Sequence, residues 1–240
     1  MFQYANPARF MALSGRVLPW LAVAAGLLLA AGLYLGLIAS PPDYQQGDTV
    51  RIMYVHVPAA WCAMMIYALM ALSAAIGLVN RHPLADVAAK TAAPLGALFT
   101  ALALITGSLW GKPMWGAWWV WDGRLTSFLI LLFLYLGYIA LWNAIEDEIP
   151  AARATAVLAI VGAVNLPIIE FSVRWWTTLH QGESIIRAGG PSIAAVFLWP
   201  LFLMALGYTL LFFTLWIVRI RTEILARRAR SLILAEGGAA

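Results

Sequence analysis

Six apolar runs divide the chain, at roughly 19–40, 57–79, 91–110, 125–145, 154–173 and 192–218. Each is close to the twenty or so residues that a helix needs to cross about 30 Å of hydrocarbon. Only the fifth contains a charge, Glu170 near its end, and Lys90 stands just outside the third. The pattern predicts an all-α polytopic membrane protein, a six-transmembrane-helix bundle in a single domain over residues 1–240, without internal repeats or low-complexity linkers. Arg9 and Arg16 precede the first run as they would in a signal peptide. That run is longer than a signal core and five more follow, so a retained helix is expected.

Composition agrees. With 63% hydrophobic and 11% charged residues, the chain carries more apolar side chain than a soluble domain can bury. Cys62 is the single cysteine, which excludes an internal disulfide and a cysteine metal cluster, and no C-x-x-C-H is present for covalent haem attachment. The net charge is +4, but the basic residues sit beside apolar runs, where they orient helices, so no nucleic acid partner is expected.

Six spans return both termini to one side. With that side cytoplasmic, ten of the fifteen lysines and arginines fall inside. Arg51, Lys112, Arg124, Arg174 and Arg187 fall outside. The bias matches the positive-inside rule, although the tail at 219–240 supplies half of the inner count. In that tail Ile220, Ile224, Leu225, Leu232 and Ile233 alternate with arginines. The pattern suits a basic amphipathic helix lying on the anionic inner leaflet, with a partner-docking site as the other reading. Phe2 to Leu18 shows a weaker version of the same pattern.

The outer segment at 111–124 and its flanks are rich in tryptophan: Trp110, Trp115, Trp118, Trp119 and Trp121. An aromatic belt would place tryptophan at both membrane faces. Here nine of the twelve tryptophans fall in the outer half and only Trp20, Trp142 and Trp216 in the inner half, which argues for a one-sided platform. Gly111, Pro113 and Gly116 predict loop at its start, with Trp118 to Thr126 re-entering helix and leading into the fourth span. Indole faces offer a rigid apolar area on which a flat macrocycle can lie. Asp122 and Arg124 either pair with each other or leave Arg124 to meet a ligand carboxylate.

Of three histidines, His56 and His180 share the outer face with this segment, and His82 lies inside beside Pro83 as an ordinary loop histidine. Two readings stand for the outer pair: interfacial histidines, or the two axial ligands of a six-coordinate haem iron. Arg51 precedes His56 by five residues, about 7.5 Å of helical rise, which lets one address iron while the other approaches a propionate. Glu170 and Arg174, spaced i, i+4, are read first as an ion pair and second as a propionate site.

The stretch Trp115-Gly-Ala-Trp118-Trp119-Val-Trp121-Asp122-Gly-Arg124-Leu-Thr126 resembles the WWD motif of the haem handling proteins of cytochrome c biogenesis, most closely their CcmC family. The likeness extends to Val50 through Trp61, to Asn165-Leu-Pro167 and to Trp175-Trp176-Thr-Thr-Leu-His180-Gln181. The resemblance implies a multi-pass protein of the bacterial inner membrane that is not an enzyme. It would bind b-type haem non-covalently and transiently at the periplasmic surface, between axial ligands His56 and His180. Trp115, Trp118, Trp119, Trp121, Asp122, Arg51 and Arg124 would complete the site. It also implies delivery of haem to the chaperone CcmE and a complex with the ABC transporter subunits CcmA and CcmB and with CcmD, within the lipid bilayer. The chain has no G-x-x-x-x-G-K-[ST], so a nucleotide site belongs to a partner.

Two other functions compete. An electron-transfer membrane b-type cytochrome subunit usually buries its histidine ligands deep in the bundle, whereas these two lie at the surface. A haem permease would place polar groups near mid-membrane, where this sequence is almost wholly apolar. The absence of membrane-core histidines also separates the chain from the larger WWD lyases.

Overall fold

The computed structural model describes residues 6–82, 84–182, 184–185 and 189–237. Arg187, counted above among the outer cations, and the last three residues of the tail lie outside the described residues, as do the first five residues. The described chain is helical, with one isolated bridge between Asp43 and Gly47.

Helix α1 (Pro7–Leu33) starts on Asn6, whose side chain accepts from the Ala8 N–H, and continues through a π turn to Ala39. A 3₁₀ turn at Asp48–Ile52 leads into α2 (Met53–Asn80). Arg81, at φ +50°, ends that helix, and α3 (Ala85–Trp115) returns. α4 (Gly123–Ala144) and α5 (Glu148–Gly162) are each capped by an aspartate, Asp122 and Asp147. α6 (Asn165–Trp175) completes the fifth crossing after a break at 163–164. Pro167 lies one turn beyond that break, and its missing N–H and ring disfavour a continuous helix there. α7 (Ala195–Gly237) forms the sixth crossing. Six helical stretches are therefore long and apolar enough to span a membrane.

The sequence predicts loop from Gly111 onward, but α3 runs through Gly111 and Pro113 to Trp115 and stops at Gly116, whose φ of +76° favours glycine. Helix then resumes at Gly123, not at Trp118. α7 also departs from expectation. Residues 219–237 continue the last span as one helix of 43 residues, roughly 64 Å long at 1.5 Å per residue. No glycine or proline interrupts it between Tyr208 and Glu236. Its charged residues pair within the helix and across to others: Glu223 meets Arg227 of the same helix at 2.9 Å and Lys90 of α3 at 2.8 Å, and Arg230 meets Glu148 of α5 at 2.9 Å. Arg221 donates to the Met11 carbonyl at 2.6 Å.

α2 and α3 pair most extensively, and the main core lies among α2, α3, α4, α5 and α7. Tyr67, Tyr135 and Tyr138 are buried within it, so the bundle centre is more polar than the hydropathy pattern suggested. Tyr135 donates to the Ala63 carbonyl at 2.8 Å, which satisfies its hydroxyl away from water. This rigid unit holds the start of α2, the end of α3, the start of α4 and the end of α6 together at one end of the bundle.

Candidate functional site

His56 lies in the first turn of α2 and faces α3. Its Nδ1 stands 2.9 Å from the Ala103 carbonyl oxygen and 3.2 Å from Thr106 Oγ1. A carbonyl only accepts, and the Thr106 hydroxyl proton is given to the Leu102 carbonyl at 2.7 Å, so the imidazole proton belongs on Nδ1. Nε2 then carries the free lone pair, the arrangement that orients a metal-ligating histidine. The close approach depends on Gly107, where a Cβ would stand 2.8 Å from His56 Cε1.

His180 lies between α6 and α7, where the described residues form no helix or strand. Its ring centre is 6.4 Å from that of His56, with the two planes 17° apart. Two imidazoles on opposite sides of one metal ion, with metal–nitrogen bonds of about 2 Å and a ring radius of about 1 Å, have their centres roughly 6 Å apart. The observed spacing fits that geometry. Trp110 stands edge-on to His56 at 5.7 Å, and Trp115 edge-on to His180 at 5.3 Å. Trp110 is itself fixed, donating from Nε1 to Gln46 Oε1 at 3.0 Å. Burial pushes the His180 pKa down to about 4, with His56 and Arg124 acting in the same direction and Asp122 opposing them. The ring is therefore neutral at pH 7 and competent to bind a metal.

Both histidines border a cavity of about 280 Å³. Val57, Ala60, Trp61 and Met64 of α2 and Leu104 and Met114 of α3 form much of its apolar wall, and Gln181 and Gly182 lie at its exposed rim. Trp115, Trp119, Arg124 and Glu170 also line it. Trp119 Nε1 is buried and finds no acceptor among the described residues, which leaves a donor at the cavity wall for a ligand's oxygen. An apolar cavity with two facing imidazoles, one unmatched indole N–H and a guanidinium is chemically suited to haem, with its iron, flat apolar ring and carboxylates.

His56, His180, Trp115, Trp119 and Arg124 are thus brought together at one cavity. Trp118 and Trp121 are not among its lining residues and are largely exposed, at 56% and 74%. Trp121 meets the edge of Trp119 at 5.4 Å. Asp122 caps α4 and accepts from the Thr178 hydroxyl. Arg51 also stays off the cavity wall, bound to Asp48 at 3.1 Å and to the Leu37 carbonyl. Arg51 lies in the 3₁₀ turn that precedes α2, so the α-helical register with His56 suggested by the sequence does not apply. Glu170 reaches the cavity, and the Arg174 guanidinium lies 5.6 Å from the Phe171 ring.

Sequence reasoning assigned no role to Gly107, Trp110 or Thr178. Trp110 lay in view inside the aromatic cluster. Gly107 gave no signal, because what it does depends on a residue distant in the chain, and Thr178 lay within the stretch that carried the resemblance while its tie to Asp122 did not show.

Comparison with known proteins gives consistent matches. The family model described as Heme exporter protein C covers residues 1–235. A Heme exporter protein C of Bradyrhizobium diazoefficiens is 60% identical over 97% of this chain and 88% of its own length. Those of Paracoccus denitrificans and Escherichia coli are each 48% identical, covering 100% and 99% of this chain and 99% and 98% of their own lengths.

Proposed function

The chain belongs to the haem exporter protein C (CcmC) family, and from that membership we propose that it holds haem between His56 and His180 at the periplasmic face of the inner membrane and passes it to the chaperone CcmE. Membership itself gives the coarser role, haem handling in cytochrome c maturation. The observation that carries the finer reading is the near-parallel pair of imidazoles 6.4 Å apart beside an apolar cavity.

In this reading His56 presents Nε2 because Nδ1 is committed to Ala103, and His180 presents a neutral ring because burial resists its protonation. Trp115 and the apolar α2 wall exclude water from the ring. Trp119 Nε1 and Arg124, which line the cavity, would hold the haem carboxylates. Trp118 and Trp121, exposed beside the cavity, offer apolar surface during transfer. The bound haem is b-type and is held without a covalent bond, and the chain makes or breaks none. Its partners are CcmE, the ABC subunits CcmA and CcmB, and CcmD, with both termini cytoplasmic.

The position of the pair at one end of the bundle, beside a cavity with an exposed rim, supports transfer over electron transport, since a ligand held there can leave without opening the bundle. The test is to load the purified protein with haem, add the CcmE periplasmic domain, supply the CcmABD partners with ATP, and follow haem absorbance. The wild type should transfer its haem. His56→Ala and His180→Ala should each lose the low-spin bis-histidine spectrum, and His82→Ala should retain it. Haem that never exchanges but cycles reversibly with a quinol would overturn the transfer reading in favour of a membrane cytochrome.

A further inference from the structure

Because the described residues from Trp176 to Gly182, around His180, form no helix or strand, side-chain ties must decide where His180 sits. Asp122 provides one from the adjoining element. Its Oδ1 accepts from the Leu125 N–H at 2.8 Å, which fixes the carboxylate as the N-cap of α4. Its other oxygen accepts the hydroxyl proton of Thr178. That commitment turns a Thr178 lone pair toward the backbone N–H of His180, which donates to Oγ1 at 3.1 Å. Trp176 closes the same seam: a Cβ on Gly123 would stand 2.9 Å from its ring.

We propose that Asp122 and Thr178 form a bracket that places the His180 imidazole opposite His56, making Asp122 a positioning residue that does not itself touch haem. The bracket joins the start of α4 to the ligand-bearing segment, so the aspartate of the WWD motif serves the site through the second histidine. Thr178 is the intermediate element. Its one proton goes to the carboxylate and its lone pair receives the histidine amide, a polarity that only a hydroxyl supplies. This inference rests on the reading that His180 ligates haem.

The test uses the full-length, haem-loaded protein. Thr178→Val keeps the shape and the α4 cap but removes the hydroxyl. It should convert much of the low-spin spectrum to a high-spin, five-coordinate one and weaken haem retention about tenfold, the scale of one lost hydrogen bond. Thr178→Ser should restore the wild-type spectrum, and free imidazole should restore the low-spin form of Thr178→Val by filling the vacated position. Asp122→Asn should reproduce the defect and add little to it in the double variant, as expected of residues acting in series. Helix content by circular dichroism should be unchanged throughout. A wild-type spectrum for Thr178→Val, or failure of Thr178→Ser to rescue, overturns the bracket while leaving His180 as ligand. A wild-type spectrum for His180→Ala instead removes the ligation on which the bracket depends.

Discussion

At His56 a single proton decides what the ring can do. Held on Nδ1 by the Ala103 carbonyl, it leaves Nε2 as the donor nitrogen. His180 has no such backbone acceptor described, and burial keeps its ring neutral. The sign of the resulting pH dependence follows. Its pKa of about 4 in the folded protein lies below the 6.5 of a solvated histidine. Between those values an unfolded chain binds a proton that the folded one refuses, so this histidine's contribution to stability is intact above about 6.5 and declines as pH falls toward 4. Haem uptake should therefore stay nearly constant from pH 7 to about 5 and drop as pH passes through about 4. A low-spin Soret titration checks this, and a midpoint near 6.5 would show the ring to be solvated. That His56 and His180 share one end of the bundle was legible in the sequence. Their tautomer and protonation were not, because Ala103, Thr106 and Arg124 come from other helices.

At the scale of elements, the site is made where α2 and α3 come close enough for the His56 ring to lie against the α3 backbone. Gly107 permits that approach. Gly107→Ala favours the helix itself by about 1 kcal/mol, yet it forces the ring away at an expected cost of about 1–3 kcal/mol. The variant should insert normally and lose haem affinity by roughly fivefold to a hundredfold, measured by haem titration in detergent. Unchanged affinity would mean that the ring moves without loss of ligation. The opposite end of α7 shows the same dependence on neighbours. Its arginines read in sequence as lipid-facing, but Glu148, Glu223 and the Met11 carbonyl of other turns and helices engage several of them.

For the whole molecule, six crossings place the start of α1 and the end of α7 at the end opposite the cavity. The distribution of lysine and arginine argues that this end is cytoplasmic. A reporter active only in the periplasm should be silent when fused after Ala240 and active when inserted near Gln181. The reverse result would move the cavity to the cytoplasmic face and bring His82 to the outside.

The sequence by itself determined the six helices, because apolar runs of membrane-spanning length have few alternatives to α-helix in lipid. It also carried the family, through the motif from Trp115 to Thr126, and the two histidines, which stand out in a chain with three. The tertiary structure decided which surrounding residues meet. Arg51 and Asp122 sit close to the histidines or tryptophans in sequence but turn to Asp48 and Thr178, whereas Gly107 and Glu170 reach the cavity from helices whose packing no local pattern encodes. Hydropathy is a property of each segment alone and can be read along the chain. A ligand cavity is a property of distances between segments, and those are set only when the helices pack.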